Sequence, residues 1–154
     1  MNLKKTFITL CLMSIIGHLF AQERIQIKYG PYLQNMKETE VTIVWVANRT
    51  SIGWVELAPD DGSHFYQEER EKFFDTRNGV KSESPVHSVR LTGLKPGTSY
   101  RYRICVQEIL EHKGTEVTYG KIDGTDIWSQ DPYRFTTNNH GKQQTSFVML
   151  NDIH

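Results

Sequence analysis

The chain has 154 residues, 38% of them hydrophobic, and its 18 basic and 18 acidic side chains balance to zero. That suffices for one domain with a core of its own and is too little for two. A neutral balance with no run of one charge sign excludes a charged interaction tail and argues against nucleic acid, whose phosphates demand a basic excess.

The first 21 residues read as a secretion signal. Lys4 and Lys5 form a short positive region, followed by the apolar run Phe7 to Ile16 and then Leu19, Phe20 and Ala21. The run is shorter than the ~20 residues a bilayer span requires and suits the apolar part of a leader. Cleavage is expected after Ala21, which makes the mature chain secreted or periplasmic, with no membrane span after cleavage. Leu10 before Cys11 is not the small residue of a lipoprotein signal. Cys11 leaves with the leader, so Cys105 is alone and no internal disulfide is expected. Asn48-Arg49-Thr50 matches the N-glycosylation acceptor pattern.

The mature chain reads as short strands separated by turns. Ile25, Ile27 and Tyr29 alternate with polar residues until Gly30-Pro31 breaks the run. Val41 to Val46 is rich in β-branched residues, as strands are. Trp54 to Leu57 predicts a third strand, closed by Pro59-Asp60-Asp61-Gly62. Residues 64 to 84 are charged and poorly patterned. They predict a strand near Phe65 and Tyr66 and a loop anchored by Phe73 and Phe74.

Val89 and Leu91 predict the next strand, Lys95-Pro96-Gly97-Thr98 a turn, and Tyr100 the start of another. From there Tyr100, Tyr102, Ile104 and Val106 point one way, and Arg101, Arg103, Cys105 and Gln107 the other. That period of two predicts one packed face and one wet face, the packed one resting on a second sheet. Residues 111 to 131 are polar and read as a long hairpin or loop. Tyr133 to Thr137 supplies the last strand, and no helix is predicted between residues 22 and 140.

Val89-Arg90-Leu91-Thr92-Gly93-Leu94-Lys95-Pro96-Gly97-Thr98-Ser99-Tyr100 resembles a strand corner of the fibronectin type III sandwich, an all-β immunoglobulin-like antiparallel fold. The resemblance assigns Leu94 to the core, has the Tyr100 hydroxyl bond backbone just upstream, and makes Trp45 the buried tryptophan of an early strand. Tyr29-Gly30-Pro31-Tyr32-Leu33-Gln34 ahead of that strand is similar to the N-terminal domain of purple acid phosphatase-like proteins. In these, a fibronectin-like sandwich precedes a calcineurin-like metallophosphoesterase domain. The expected division is therefore 1–21 signal, 22–137 sandwich, 138–145 linker, and 146–154 the start of an α/β metallophosphoesterase domain.

Phe147-Val148-Met149-Leu150 is a continuous apolar run, as in a strand buried on both faces, and Asn151-Asp152-Ile153-His154 follows. Asp152 and His154, two apart on an extended backbone, aim to the same side and carry donors suited to Zn, Mn or Fe. In this setting they resemble the first metal motif of the calcineurin-like superfamily. Glycine is usual at the position of His154 in true purple acid phosphatases, so His154 favours the broader calcineurin-like type.

The resemblance implies two-metal hydrolysis of a phosphate-ester substrate in the parent protein, using divalent or trivalent Fe, Zn or Mn. No catalytic residue and no bound metal are expected in the fragment itself, since two ligands do not close a catalytic site. His64, His87, His112 and His140 show no metal spacing and read as solvated or structural. Two rival readings stand beside this one. The first is an exported fibronectin-like adhesion or carbohydrate-binding module stacking sugars on Trp54, Trp128 or Tyr133, residues that the favoured reading assigns to the core or the interdomain surface instead. The second is a sandwich that caps an assembly by strand addition at its edge.

Overall fold

The computed structural model of the chain describes residues 23–141. The expected signal, residues 142–145 of the expected linker, and the segment 146–154 lie outside the described residues. In chain order the strands are β1 (Ile27–Gln34), β2 (Glu40–Pro59), β3 (Lys72–Phe74), β4 (Thr76–Arg77), β5 (Val80–Lys81), β6 (Ser84–Thr92), β7 (Ser99–Lys113), β8 (Glu116–Gly124) and β9 (Tyr133–Thr136). The described residues contain no helix, and so none long and apolar enough to cross a membrane.

The long β2 builds the architecture. Its first half pairs antiparallel with β1 on one side and β6 on the other, so that Val44 lies between Tyr32 and Ser88. Its second half pairs with β3 and β7, placing Trp54 between Phe74 and Cys105. The register with β6 breaks between Val46 and Ser51. Through that break β2 leaves one sheet and enters the other, which is how a strand makes the corner of a sandwich. The first sheet is β1-β2-β6. The second is β3-β2-β7, with β8 along the far part of β7 and β9 along its beginning. The architecture is the antiparallel fibronectin type III-like sandwich expected from the sequence. β4 and β5 form a separate small hairpin turned by Asn78 and Gly79, both at positive φ as a two-residue hairpin turn requires.

The core lies between the sheets. β2 contributes Val41, Ile43, Trp45 and Ala47, and β6 contributes Val89 and Leu91. Opposite them sit Val55, Tyr102, Ile104, Val106 and Phe135. Trp45 is fully buried, as expected. Gly30 supports it from β1: its φ is +96°, and a Cβ there would lie 2.9 Å from the Val44 carbonyl oxygen and 3.1 Å from the Trp45 Cβ. Only glycine tolerates both the dihedral and the approach. At the β6–β7 corner, Leu94 is buried and the Tyr100 hydroxyl accepts a hydrogen bond from Lys95 N at 2.9 Å. Both roles are those the resemblance assigns.

Two local expectations are corrected. The outward face of β7 is not wet, because Arg101 is buried beneath the segment that follows β2 and Cys105 is buried beside Gly124 of β8. Arg101 donates to the carbonyl oxygens of Pro59 and Ser63 in that segment, and Phe65 is buried there. Phe65 and Tyr66 lie in a turn rather than a strand, while Phe73 and Phe74 hold the segment to the sheet as expected, by pairing with β2 as β3. Trp54 is buried, in line with its favoured reading as a core residue, and its indole N–H donates to Glu56 Oε1 at 3.0 Å.

Candidate functional site

Asp152 and His154 lie outside the described residues. The segment leading toward them is tied to the sandwich. Asn138 N donates to the Lys37 carbonyl, its Nδ2 donates to the Met36 carbonyl at 3.0 Å, and His140 N donates to Glu38 Oε1 at 2.7 Å. The chain therefore leaves the described sandwich beside the β1–β2 turn and the β6–β7 corner, where Gly97 N donates to the Asn138 carbonyl.

The four histidines of the sandwich do not come together. His64 accepts from Tyr66 N, His112 pairs with Glu83 at 2.9 Å, and His140 pairs with Glu38 at 3.0 Å. Hydrogen bonding to Glu83 raises the pKa of His112, which is exposed. Among the described residues no three His, Cys, Asp or Glu side chains are grouped so as to hold a metal ion. The sandwich therefore does not fit the metal centre that the C-terminal motif suggests.

His87 is different. Its Nε2 lies 2.8 Å from Ser51 Oγ and its Nδ1 lies 3.3 Å from Asp75 Oδ2. The carboxylate can only accept, so Nδ1 carries the proton and Nε2 accepts from the serine hydroxyl. Serine, histidine and aspartate in that order are the parts of a nucleophilic triad. The surroundings deny that chemistry: Ser51 and His87 are each 0% exposed, so no substrate reaches the hydroxyl. Burial holds the His87 pKa below its ordinary 6.5, against the opposing pull of Asp75. The triplet ties β2, β3's trailing residue and β6 into one buried polar knot. Gly53 makes room for it, since a Cβ there would sit 2.5 Å from His87 Cγ and 2.8 Å from Trp45 Cζ2. Ser51 and Asp75 stand 36 and 12 residues from His87, and no local pattern links them.

Cys105 is no nucleophile. It is buried, and burial pushes its thiol up to about 12, although the neighbouring Arg103 opposes the shift. Asn48 is held from both ends of its amide: Oδ1 accepts from Gln26 N and Nδ2 donates to the Arg24 carbonyl, each at 2.9 Å. Its observed task is to fasten the segment ahead of β1.

On the outer face of the second sheet, the Tyr66 hydroxyl is held by Glu56 and receives Arg103 Nη1 at 2.7 Å. Burial and the Glu56 hydrogen bond raise its pKa to about 12. Arg103 also donates to the Thr125 carbonyl at 2.8 Å, which fastens the start of the 125–131 loop to β7. That loop carries Trp128, which is 71% exposed. Beside the loop, against β1, lies a cleft of about 360 Å³ lined in part by Lys28, Asp126, Gln130, Asp131 and Tyr133.

The family model described as "Purple acid Phosphatase, N-terminal domain" matches residues 30–137. No curated protein matches the chain. Among solved structures, the fibronectin type III domain of the human collagen alpha-1(XX) chain is 18% identical. The match covers 81% of this chain and 96% of that one, at a TM-score of 0.43. A computer-redesigned β-sandwich protein is 19% identical, covering 75% and 97% of the two chains with a TM-score of 0.42. The sensor domain of the anti-sigma factor RsgI4 of Pseudobacteroides cellulosolvens is 11% identical, covering 77% and 98% with a TM-score of 0.39.

Proposed function

The chain belongs to the purple acid phosphatase N-terminal domain family, and from that premise we propose that it is the non-catalytic leading sandwich of an exported metal-dependent phosphoesterase. The observation that carries the reading is the family match over 30–137, followed in the sequence by an apolar run and Asp152-Ile153-His154. The family suggests a phosphatase parent, and with it metal cofactors. In this reading Asp152 and His154 are two of the donors to that centre, and the remaining ligands come from later strands of a catalytic domain. The metals supply Lewis acidity and an activated water to phosphate-ester hydrolysis. Export rests on the apolar leader with its Lys4-Lys5 front.

The sandwich supports the non-catalytic role from its own chemistry. Its one serine–histidine–aspartate constellation is sealed in the core, its cysteine is buried, and its described residues present no metal donor set. The chain alone is expected to hydrolyse no p-nitrophenyl phosphate with added Mn²⁺ or Zn²⁺. Turnover that disappears in Asp152→Ala would overturn this. For the parent, the reading frame beyond His154 is expected to encode Gly-Asp, Gly-Asn-His and two further histidine motifs within roughly 250 residues, the span of one domain. A stop codon directly after His154, or a second sandwich, would replace the phosphoesterase with a binding module.

A further inference from the structure

The first sheet turns Val41, Ile43, Trp45 and Ala47 of β2 into the core, so Thr42, Val44 and Val46 point the other way. Residues directly opposite on neighbouring strands share a face. The register therefore lays two rows across β1, β2 and β6 on the outer side, Tyr29–Val46–Val86 and Tyr32–Val44–Ser88. Apart from Ser88 both rows are apolar, and Tyr29, Tyr32 and Val86 stand 63%, 51% and 51% exposed. The solvated face of an antiparallel sheet is ordinarily polar, and apolar side chains joined across three strands mark a contact surface. The next row along is polar: Gln34 and Arg90 flank Thr42, and Arg90 donates to Glu40.

We propose that this face is the docking surface for the domain that begins at residue 146, an interdomain contact that rests on the phosphoesterase reading above. The place where the chain leaves the sandwich selects that occupant. Asn138 bonds the carbonyls of Met36 and Lys37, and His140 N donates to Glu38, all in the β1–β2 turn at the polar end of the face. From Gly141 the expected linker, residues 142–145, reaches at most about 14 Å. Thr42 to Val46, the distance across all three rows, is also about 14 Å. A domain on so short a tether starts within reach of both apolar rows, at an effective concentration on the order of millimolar. A second copy of the chain has no such advantage. The surface that the domain brings is apolar at its centre and offers acceptors to the two tyrosine hydroxyls, because a covered tyrosine keeps a hydrogen-bond partner.

Tyrosine nitration by tetranitromethane, read peptide by peptide in a mass spectrometer, compares the 154-residue chain with the parent protein expressed from the frame carried past His154. Tyr29 and Tyr32 are expected to react about tenfold more slowly in the parent, as covered groups do. Tyr119, on β8 of the other sheet and 42% exposed, should react equally in both. Tyr32→Ser in the parent should speed tryptic cleavage after Lys142 several-fold, while leaving the urea midpoint of the 154-residue chain unchanged. The proposal is overturned if that cleavage keeps its rate, or if both tyrosines are as reactive in the parent as in the 154-residue chain. When such a parent still hydrolyses p-nitrophenyl phosphate, the docking alone fails and the phosphoesterase reading stands. A stop codon directly after His154 removes both. Protection of the two tyrosines in the 154-residue chain by itself, with dimers in sedimentation, gives the face to a second copy instead.

Discussion

At the scale of single residues, His87 makes stability depend on pH in a definite direction. Burial holds its folded pKa below 6.5, so the unfolded chain takes up the proton more readily. The neutral imidazole's contribution is therefore complete above pH 6.5 and is lost as pH falls toward the depressed folded value. Chemical denaturation between pH 7 and 5 should show stability falling with a slope of up to about 1.4 kcal/mol per pH unit. His112, whose pKa is raised by Glu83, acts in the opposite sense. Comparing His87→Gln with the parent chain cancels that term. If the variant keeps the parent's slope, His87 is not the buried titrating group. Gly53 tests the same knot sterically. Gly53→Ala drives a methyl into His87 and Trp45 and should cost about 1–3 kcal/mol in urea unfolding. A neutral result would mean that the two rings shift freely.

At the scale of elements, the β6–β7 corner is the most legible part of the chain, because local chemistry decides it. The run from Val89 to Tyr100 places a buried leucine, a turn and a tyrosine at short separations, and the structure uses each as expected. Tyr100→Phe keeps the ring's stacking on Phe135 and deletes only the acceptor for Lys95 N. It should lower stability by about 0.5–1.5 kcal/mol, the ordinary net worth of one hydrogen bond. An unchanged midpoint would show that water replaces the hydroxyl fully. The outer face of β7 was illegible for the opposite reason. Arg101, Arg103 and Cys105 carry the alternation of a wet face, but the segment from Pro59 to Tyr66 folds back over the two arginines, a contact between segments about 40 positions apart. Residues 64–84 misled in the same way. Phe73 and Phe74 pair as β3 because Trp54 and Val55 stand ready to receive them, not because their own short run has a pattern.

The candidate sites divide along the same line. Trp128 stands in a polar stretch, Asp126 to Asp131, whereas Trp54 stands in the apolar stretch from Ile52 to Leu57. The fold keeps them apart, pairing Trp54 with Phe74 of β3 and leaving Trp128 on a loop beside Tyr66. The Ser51–Asp75–His87 knot has no sequence signal at all, since three strands must assemble before the groups meet. Asp152 and His154 are the reverse case: a two-residue spacing is legible by itself, and its meaning depends on strands that must converge on it.

At the scale of the whole molecule, β2 decides how the sandwich comes apart. It is the central strand of the first sheet, between β1 and β6, and an inner strand of the second, between β3 and β7. Opening either sheet means stripping β2, and the Ser51–His87 contact sits where β2 passes from one sheet to the other. The buried indole of Trp45 belongs to the first half and that of Trp54 to the second. Unfolding should thus be one cooperative transition, as is usual for single domains of this size. Tryptophan emission and far-ultraviolet circular dichroism, followed through the same urea titration, should give coincident curves. Trp45→Phe and Trp54→Phe variants should each remain single-step, with midpoints lowered but curves still superimposed. Two separated transitions in either variant would mean that the sheets hold themselves together independently, and that β2 is a linker between them and not their common strand.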